Sequence, residues 1–93
     1  MRYEYDPAKS QSNKIKHGID FEEAKALWDD ECAIIQSARS DTEPRFVVIG
    51  RIGGRFWSAF ITYRNEAARI ISVRRSRKEE IADYEQELAC GRS

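Results

Sequence analysis

The sequence predicts an α+β domain in which helices pack on one face of an antiparallel sheet, in the order β-α-α-β-β-β-β-α. Three observations carry that expectation. The segments Arg45–Ile52, Phe56–Arg64 and Ala68–Arg75 are rich in Val, Ile and aromatic residues, the composition that suits strands. Gly53-Gly54 and Asn65-Glu66 separate them, and both pairs suit tight hairpins, so the three strands should form a meander. On either side, capping signals precede apolar residues spaced at the helical period.

Arg2 to Tyr5 alternates charged and aromatic side chains and reads as a short first strand. Asp6-Pro7 opens a helix, with Asp as N-cap and Pro at the first helical position, where its missing donor is harmless. The helix should run to Lys16 or His17 and end at Gly18, which tolerates the left-handed conformation of a C-terminal cap. Ala8 and Ile15 are its main apolar positions, so it should lie on the surface. A second helix follows with Asp20 as N-cap and Glu23 three residues on, and Phe21, Ala24, Leu27 and Trp28 form its core stripe. Asp29-Asp30-Glu31 stops it before a short strand, Cys32–Ile35. Residues 36–44 form the longest polar stretch, rich in Ser, Asp, Thr and Glu, and read as a surface loop. Ser76-x-x-Glu79 forms a further capping box, opening a last helix with Ile81, Tyr84 and Leu88 as its buried stripe.

The whole chain, 1–93, is read as one domain. Its 41% apolar residues suffice for a single core, and its 34% charged residues make a dense ionic surface. No run approaches a membrane span, and the first residues lack the apolar stretch of a signal peptide, so the expected address is cytoplasmic. Cys32 and Cys90 fall short of the four or more cysteines of a small secreted scaffold and read as thiols. One histidine, His17, rules out His-rich zinc patterns, so neither metal nor cofactor is expected.

Net charge is zero, yet residues 45–78 hold nine basic side chains and only one acidic, Glu66, while residues 1–44 hold six basic and ten acidic. Eight of the nine are arginines, whose planar fork suits phosphate. Such asymmetry suggests a polyanion partner. Equally, arginines on the outer face of a sheet keep it soluble and block edge pairing. Arg74, Arg75, Arg77 and Lys78 gather where the last strand meets the last helix, near a helix N-terminus suited to anions. RNA cleavage without metal needs a base for the 2′-hydroxyl, cations for the phosphorane and an acid for the leaving oxygen. His17 is the one side chain that titrates near neutrality unaided. It stands with Lys14 and Lys16 at a helix C-terminus, where cations also serve the helix dipole, by about 0.3–1 kcal/mol. Glu66 reads as a solvated turn residue and Tyr84 as core. No P-loop, zinc motif or nucleophile–base pair supports another enzyme class.

Tyr3-x-Tyr5-Asp6-Pro7-x-Lys9, Asn13-x-x-Lys16-His17-Gly18-Ile19-x-Phe21-Glu22-Glu23-Ala24, Arg45-Phe46, Ile49-Gly50-Arg51 and Arg69-Ile70-Ile71-Ser72-Val73-Arg74-Arg75 together resemble the BrnT family of toxins. The match runs in order over roughly residues 3–86. The resemblance implies a fold related to the RelE toxins, metal-independent endoribonuclease activity and growth arrest. It also implies neutralisation by a BrnA-like ribbon-helix-helix antitoxin, the pair binding operator DNA through the antitoxin. Carried over by motif, His17, Arg51 and Arg74 are the catalytic candidates. Arg74 would stabilise the transition-state phosphate, Arg51 would clamp phosphate, and His17 would be base or acid. Lys14, Lys16, Arg64, Arg75 and Arg77 are the RNA-binding candidates. Ile61 departs from relatives that carry a polar or His side chain there. The alternative reading is a non-catalytic module that binds nucleic acid or antitoxin.

Overall fold

The structure is a computed structural model and describes residues 2–87. Five strands form one sheet: β1 (Arg2–Glu4), β2 (Ile34–Ala38), β3 (Arg45–Ile52), β4 (Arg55–Arg64) and β5 (Ala67–Arg75), in spatial order β1-β5-β4-β3-β2. The helices are α1 (Pro7–His17), α2 (Phe21–Ala24), which continues as a 3-10 turn over Lys25–Asp29, and α3 (Lys78–Gln86). β2 to β5 are an antiparallel meander. β1 corrects the expectation of a purely antiparallel sheet: it pairs parallel with β5, Tyr3 opposite Ala68. A parallel pair needs a long connection, and the rest of the chain supplies it, so the sheet is mixed.

The hairpins form as their residues dictate. Gly53 and Gly54 take φ of 58° and 83°, and Asn65 and Glu66 take 48° and 66°, the all-positive backbone that matches strand twist. α1 starts at Asp6, whose side chain accepts from the Ala8 N–H, with Pro7 next, and ends at Gly18, φ 84°. The Asp20/Glu23 capping box is complete. β2 begins later than Cys32 and runs to Ala38, because Gln36 to Ala38 pair with Val47 to Arg45 and shorten the polar loop. Cys32 is not a free cysteine, which corrects its reading as a thiol. Cys90 and Leu88 lie outside the described residues.

Residues directly opposite in a ladder share a sheet face. One face carries Val48, Ala59, Ile61, Ile70 and Val73, which cluster with Ile19, Phe21, Ala24 and Leu27 from the first helices. Strict alternation fails in β5, where the register shifts at Phe60/Ile61 and leaves Ile71 unopposed. That bulge lets Ile70 and Val73 both point into the core. It returns Arg69, Ser72 and Arg74 to the opposite face. On this second face α3 is docked: Tyr84 sets its ring edge-on to Phe56, 5.2 Å between centroids, and Asp83 accepts from Gln36. Helices therefore cover both faces, not one. The cause is local: the chain leaves β5 at Ser76, whose N–H bonds back to the Phe56 carbonyl, and Glu80 reaches Ser58 on that side.

α1 docks by polar groups rather than by Ala8 and Ile15. Ile15 is 88% exposed, while Ser10 and Asn13 are buried. Asn13 Nδ2 donates to the Ile19 carbonyl at 2.8 Å and to the Val73 carbonyl at 2.9 Å. Its Oδ1 accepts from the Val73 N–H at 3.1 Å. β1 stops opposite Arg69, so the β5 edge beyond it needs partners, and one asparagine amide supplies both. Ser10 Oγ accepts from the Phe21 N–H, the first donor of α2. Asn13→Ala should therefore cost about 2–3 kcal/mol, since buried backbone groups are left without partners. Thermal denaturation should show a fall in Tm of roughly 10 °C or more. Ile15→Ser, at an exposed site, should stay within about 0.5 kcal/mol of wild type; the reverse order would contradict this account of the docking.

Candidate active site

The second face of the sheet gathers the arginines. Arg51 on β3 is opposite Phe56, and Arg74 on β5 is opposite Ser58. Phe60, Thr62, Arg64, Arg69 and Ser72 continue the same face toward the other strand ends. Arg51 lies over the Phe56 ring at 5.2 Å, and Arg74 over the Phe60 ring at 5.0 Å. Stacking of this kind lets an arginine keep its charge beside apolar surface. Arg69 is paired with Glu4 at 3.7 Å, and Arg64 is exposed.

Arg75 falls on the other face, over Trp57 at 5.5 Å. Arg77 is the N-cap of α3. That cap stands one residue later than the Ser76 expected, because Ser76 Oγ is engaged with Ser58 Oγ at 2.8 Å. Only half of a capping box forms there: Glu80 Oε1 accepts from the Arg77 N–H at 2.8 Å, whereas a guanidinium has no acceptor to offer in return. Glu79 and Glu80 occupy the first turn of α3. The anion site expected at this helix N-terminus is thus filled by the chain's own carboxylate.

Glu80 is the organising group of the site. Arg74 Nη1 donates to its Oε1 at 2.9 Å and Nη2 to its Oε2 at 2.8 Å. Ser58, wholly buried, donates to the same carboxylate at 2.9 Å. Burial raises the Glu80 carboxyl, but hydrogen bonds from Arg74, the Arg77 N–H and Ser58 outweigh it and bring the pKa down to about 2. Asp30 ties three elements together. Its Oδ2 accepts from the Arg51 N–H at 2.8 Å and from the Tyr84 hydroxyl at 2.9 Å, and its Oδ1 accepts from the Cys32 N–H. Burial and then the bond to Asp30 push the Tyr84 hydroxyl up. Tyr84 is half-buried, so the core reading of it holds only in part.

His17 is exposed at the end of α1. It lies one helical turn beyond Asn13 on α1. Lys14 is bound to Glu23 at 2.7 Å, and Lys16 is exposed. The structure thus brings Arg51 and Arg74 to one face of the sheet and puts His17 at the C-terminal end of α1. Asp30, Ser58 and Glu80 escaped the sequence reading. The only signal for Glu80 was its place three residues after Arg77. Among the described residues no group of three or more His, Cys, Asp or Glu could hold a metal ion, and no helix is long and apolar enough to cross a membrane.

A small α+β domain with arginines on aromatic rings across one sheet face has the chemistry of a phosphate-binding protein. A model of the ribonuclease toxin BrnT of type II toxin–antitoxin systems matches residues 5–80. The chain belongs to the BrnT family of ribonuclease toxins. No curated protein gives a significant match. Membership implies an RNA substrate and an antitoxin partner.

Because the Glu80 carboxyl is depressed on folding, its contribution is whole above the ordinary value of 4.5 and is lost as pH falls toward about 2. Glu80→Gln should cost about 2 kcal/mol in urea unfolding at pH 7, allowing for partial exposure of the pair. The gap to wild type should shrink markedly by about pH 3. An equal gap at both pH values would contradict the assignment of the stabilisation to the carboxylate.

Proposed function

We propose that this chain is a metal-independent endoribonuclease toxin that cuts cytoplasmic RNA and arrests growth. The reading is supported chiefly by Arg74, a guanidinium held over Phe60 on the face that also carries Arg51, in a chain of the BrnT family. In the proposed reaction the 2′-hydroxyl of one nucleotide attacks the adjacent phosphorus. The P–O5′ bond then breaks, leaving a 2′,3′-cyclic phosphate and a 5′-hydroxyl. Arg74 takes the charge that builds on the nonbridging oxygens, and such preorganised donors are worth about 10²–10³-fold in rate. Arg51 clamps a neighbouring phosphate. His17 moves the proton as base or acid.

Lys16, Arg64 and Arg77 extend the phosphate contacts, with Lys14 joining them if it leaves Glu23; Arg75, on the opposite face, lies off this track. In this reading a fold of the RelE type is shared, and a BrnA-like ribbon-helix-helix antitoxin neutralises the toxin and carries the pair to operator DNA. The second reading, a module that binds nucleic acid or antitoxin without catalysis, is favoured by one observation: Glu80 already occupies one edge of Arg74.

Purified toxin should cut single-stranded RNA equally well with and without EDTA, and Arg74→Ala should lower the rate by about 100-fold or more. Activity abolished by chelation would contradict the metal-free mechanism. Intact RNA, together with unchanged growth on induction without antitoxin, would leave only the non-catalytic module. RNA affinity should also fall steeply between about 50 and 200 mM salt; a salt-insensitive complex would place the RNA away from the arginines.

A further inference from the structure

Arg74 has five N–H donors arranged in two forks, an end-on edge of Nη1 and Nη2 and a side-on edge of Nη2 and Nε. Glu80 fills the end-on edge with one oxygen on each nitrogen, at 2.9 and 2.8 Å. The second Nη1 proton goes to the Arg75 carbonyl at 3.0 Å. Among the described residues nothing accepts from Nε or from the second Nη2 proton, so the side-on fork is open. The Phe60 ring supports the guanidinium from one side at 5.0 Å. Glu80 cannot swing away easily, because Ser58 and the Arg77 N–H bind the same carboxylate. The Arg74 side chain is 23% exposed and that of Glu80 16%. The pair thus sits at the surface with the carboxylate as its better-covered member.

We infer that Glu80 is a positioning residue for RNA cleavage: it takes the end-on edge of Arg74 and thereby presents the side-on fork to a backbone phosphate. The inference rests on the proposed role of Arg74. An arginine of unfixed geometry loses side-chain entropy each time it grips a phosphate. Here that freedom is lost on folding, and the fork is already planar and aimed. The negative charge of Glu80 also keeps a phosphate off the end-on edge, so one approach remains. The carboxylate neither touches the substrate nor moves a proton. Its effect is expressed wholly through the guanidinium.

Glu80→Gln isolates this contact. The glutamine carbonyl can keep the bonds from Ser58, the Arg77 N–H and Nη1, while its amide meets Nη2 donor to donor. With a fluorogenic RNA, this variant should lose about tenfold or more in kcat, and KM should change by less than about threefold. A double-mutant cycle with Arg74→Ala provides the readout that a merely structural role would not move. In the Arg74→Ala background, Glu80→Gln should have almost no further effect on kcat. Circular dichroism and a cooperative melt confirm that each variant is folded. A folded Glu80→Gln with wild-type kcat, or one whose loss is equally large without Arg74, overturns the inference while leaving Arg74 catalytic. Full activity in Arg74→Ala alone overturns the underlying reading, and the inference with it.

Discussion

A single asparagine side chain sets the geometry on which the site depends. β1 is three residues long and leaves most of the β5 edge without a strand partner. Asn13 takes the place of that partner, accepting from the Val73 N–H and donating to its carbonyl, and its remaining proton holds the Ile19 carbonyl. Every hydrogen on its amide nitrogen is used, inside a site that is 6% exposed. The bond pattern fixes α1 against the strand position immediately before Arg74. It therefore couples the helix that ends in His17 to the strand that carries Arg74. An apolar contact could hold α1 as firmly but would not set its register along the strand.

The second constraint is charge. Arg45, Arg51, Arg64, Arg69 and Arg74 share one sheet face, and in a small domain their mutual repulsion must be met. The chain meets it in three ways. Arg69 is paired with Glu4 across the parallel strand pair. Arg51 lies on an aromatic ring. Arg74 combines a ring with a bidentate carboxylate. The last arrangement neutralises most and also orders most, since four donors converge on Glu80. A structural ion pair and a preorganised phosphate ligand are compatible because a guanidinium has two edges.

What could be read from the chain was whatever is settled by neighbours in sequence. Asp6-Pro7 and Gly18 bracket α1, Asp20 and Glu23 cap α2, and two dipeptides of positive φ turn the hairpins. Each acts within a few residues. The parallel pairing of β1 was hidden because three residues carry no register signal of their own. The side on which α3 lands depends on Glu80 meeting Arg74 and Ser58, which are 6 and 22 positions away. The β5 bulge likewise shows only when β4 is beside it. The site followed the same division. Arginine enrichment located the surface, and its partition between faces needed the ladder. The burial of Ser10 and Asn13 in a polar helix was visible only as a spacing of three without an apolar stripe.

The chemistry proposed for this surface has a signature in its products. Attack by the 2′-hydroxyl, with guanidinium groups as the electrostatic catalyst, leaves a 2′,3′-cyclic phosphate on one fragment and a 5′-hydroxyl on the other. Hydrolysis by an activated water leaves a 3′-hydroxyl and a 5′-phosphate instead. Mass spectrometry of an oligonucleotide cut by the purified toxin separates the two directly, and a 2′-deoxy substitution at the cleaved position supplies the control. Cleavage at Arg74 through the 2′-hydroxyl should give cyclic phosphate ends and complete resistance of the 2′-deoxy substrate. Fragments bearing 5′-phosphate, or cleavage that proceeds without the 2′-hydroxyl, would contradict it.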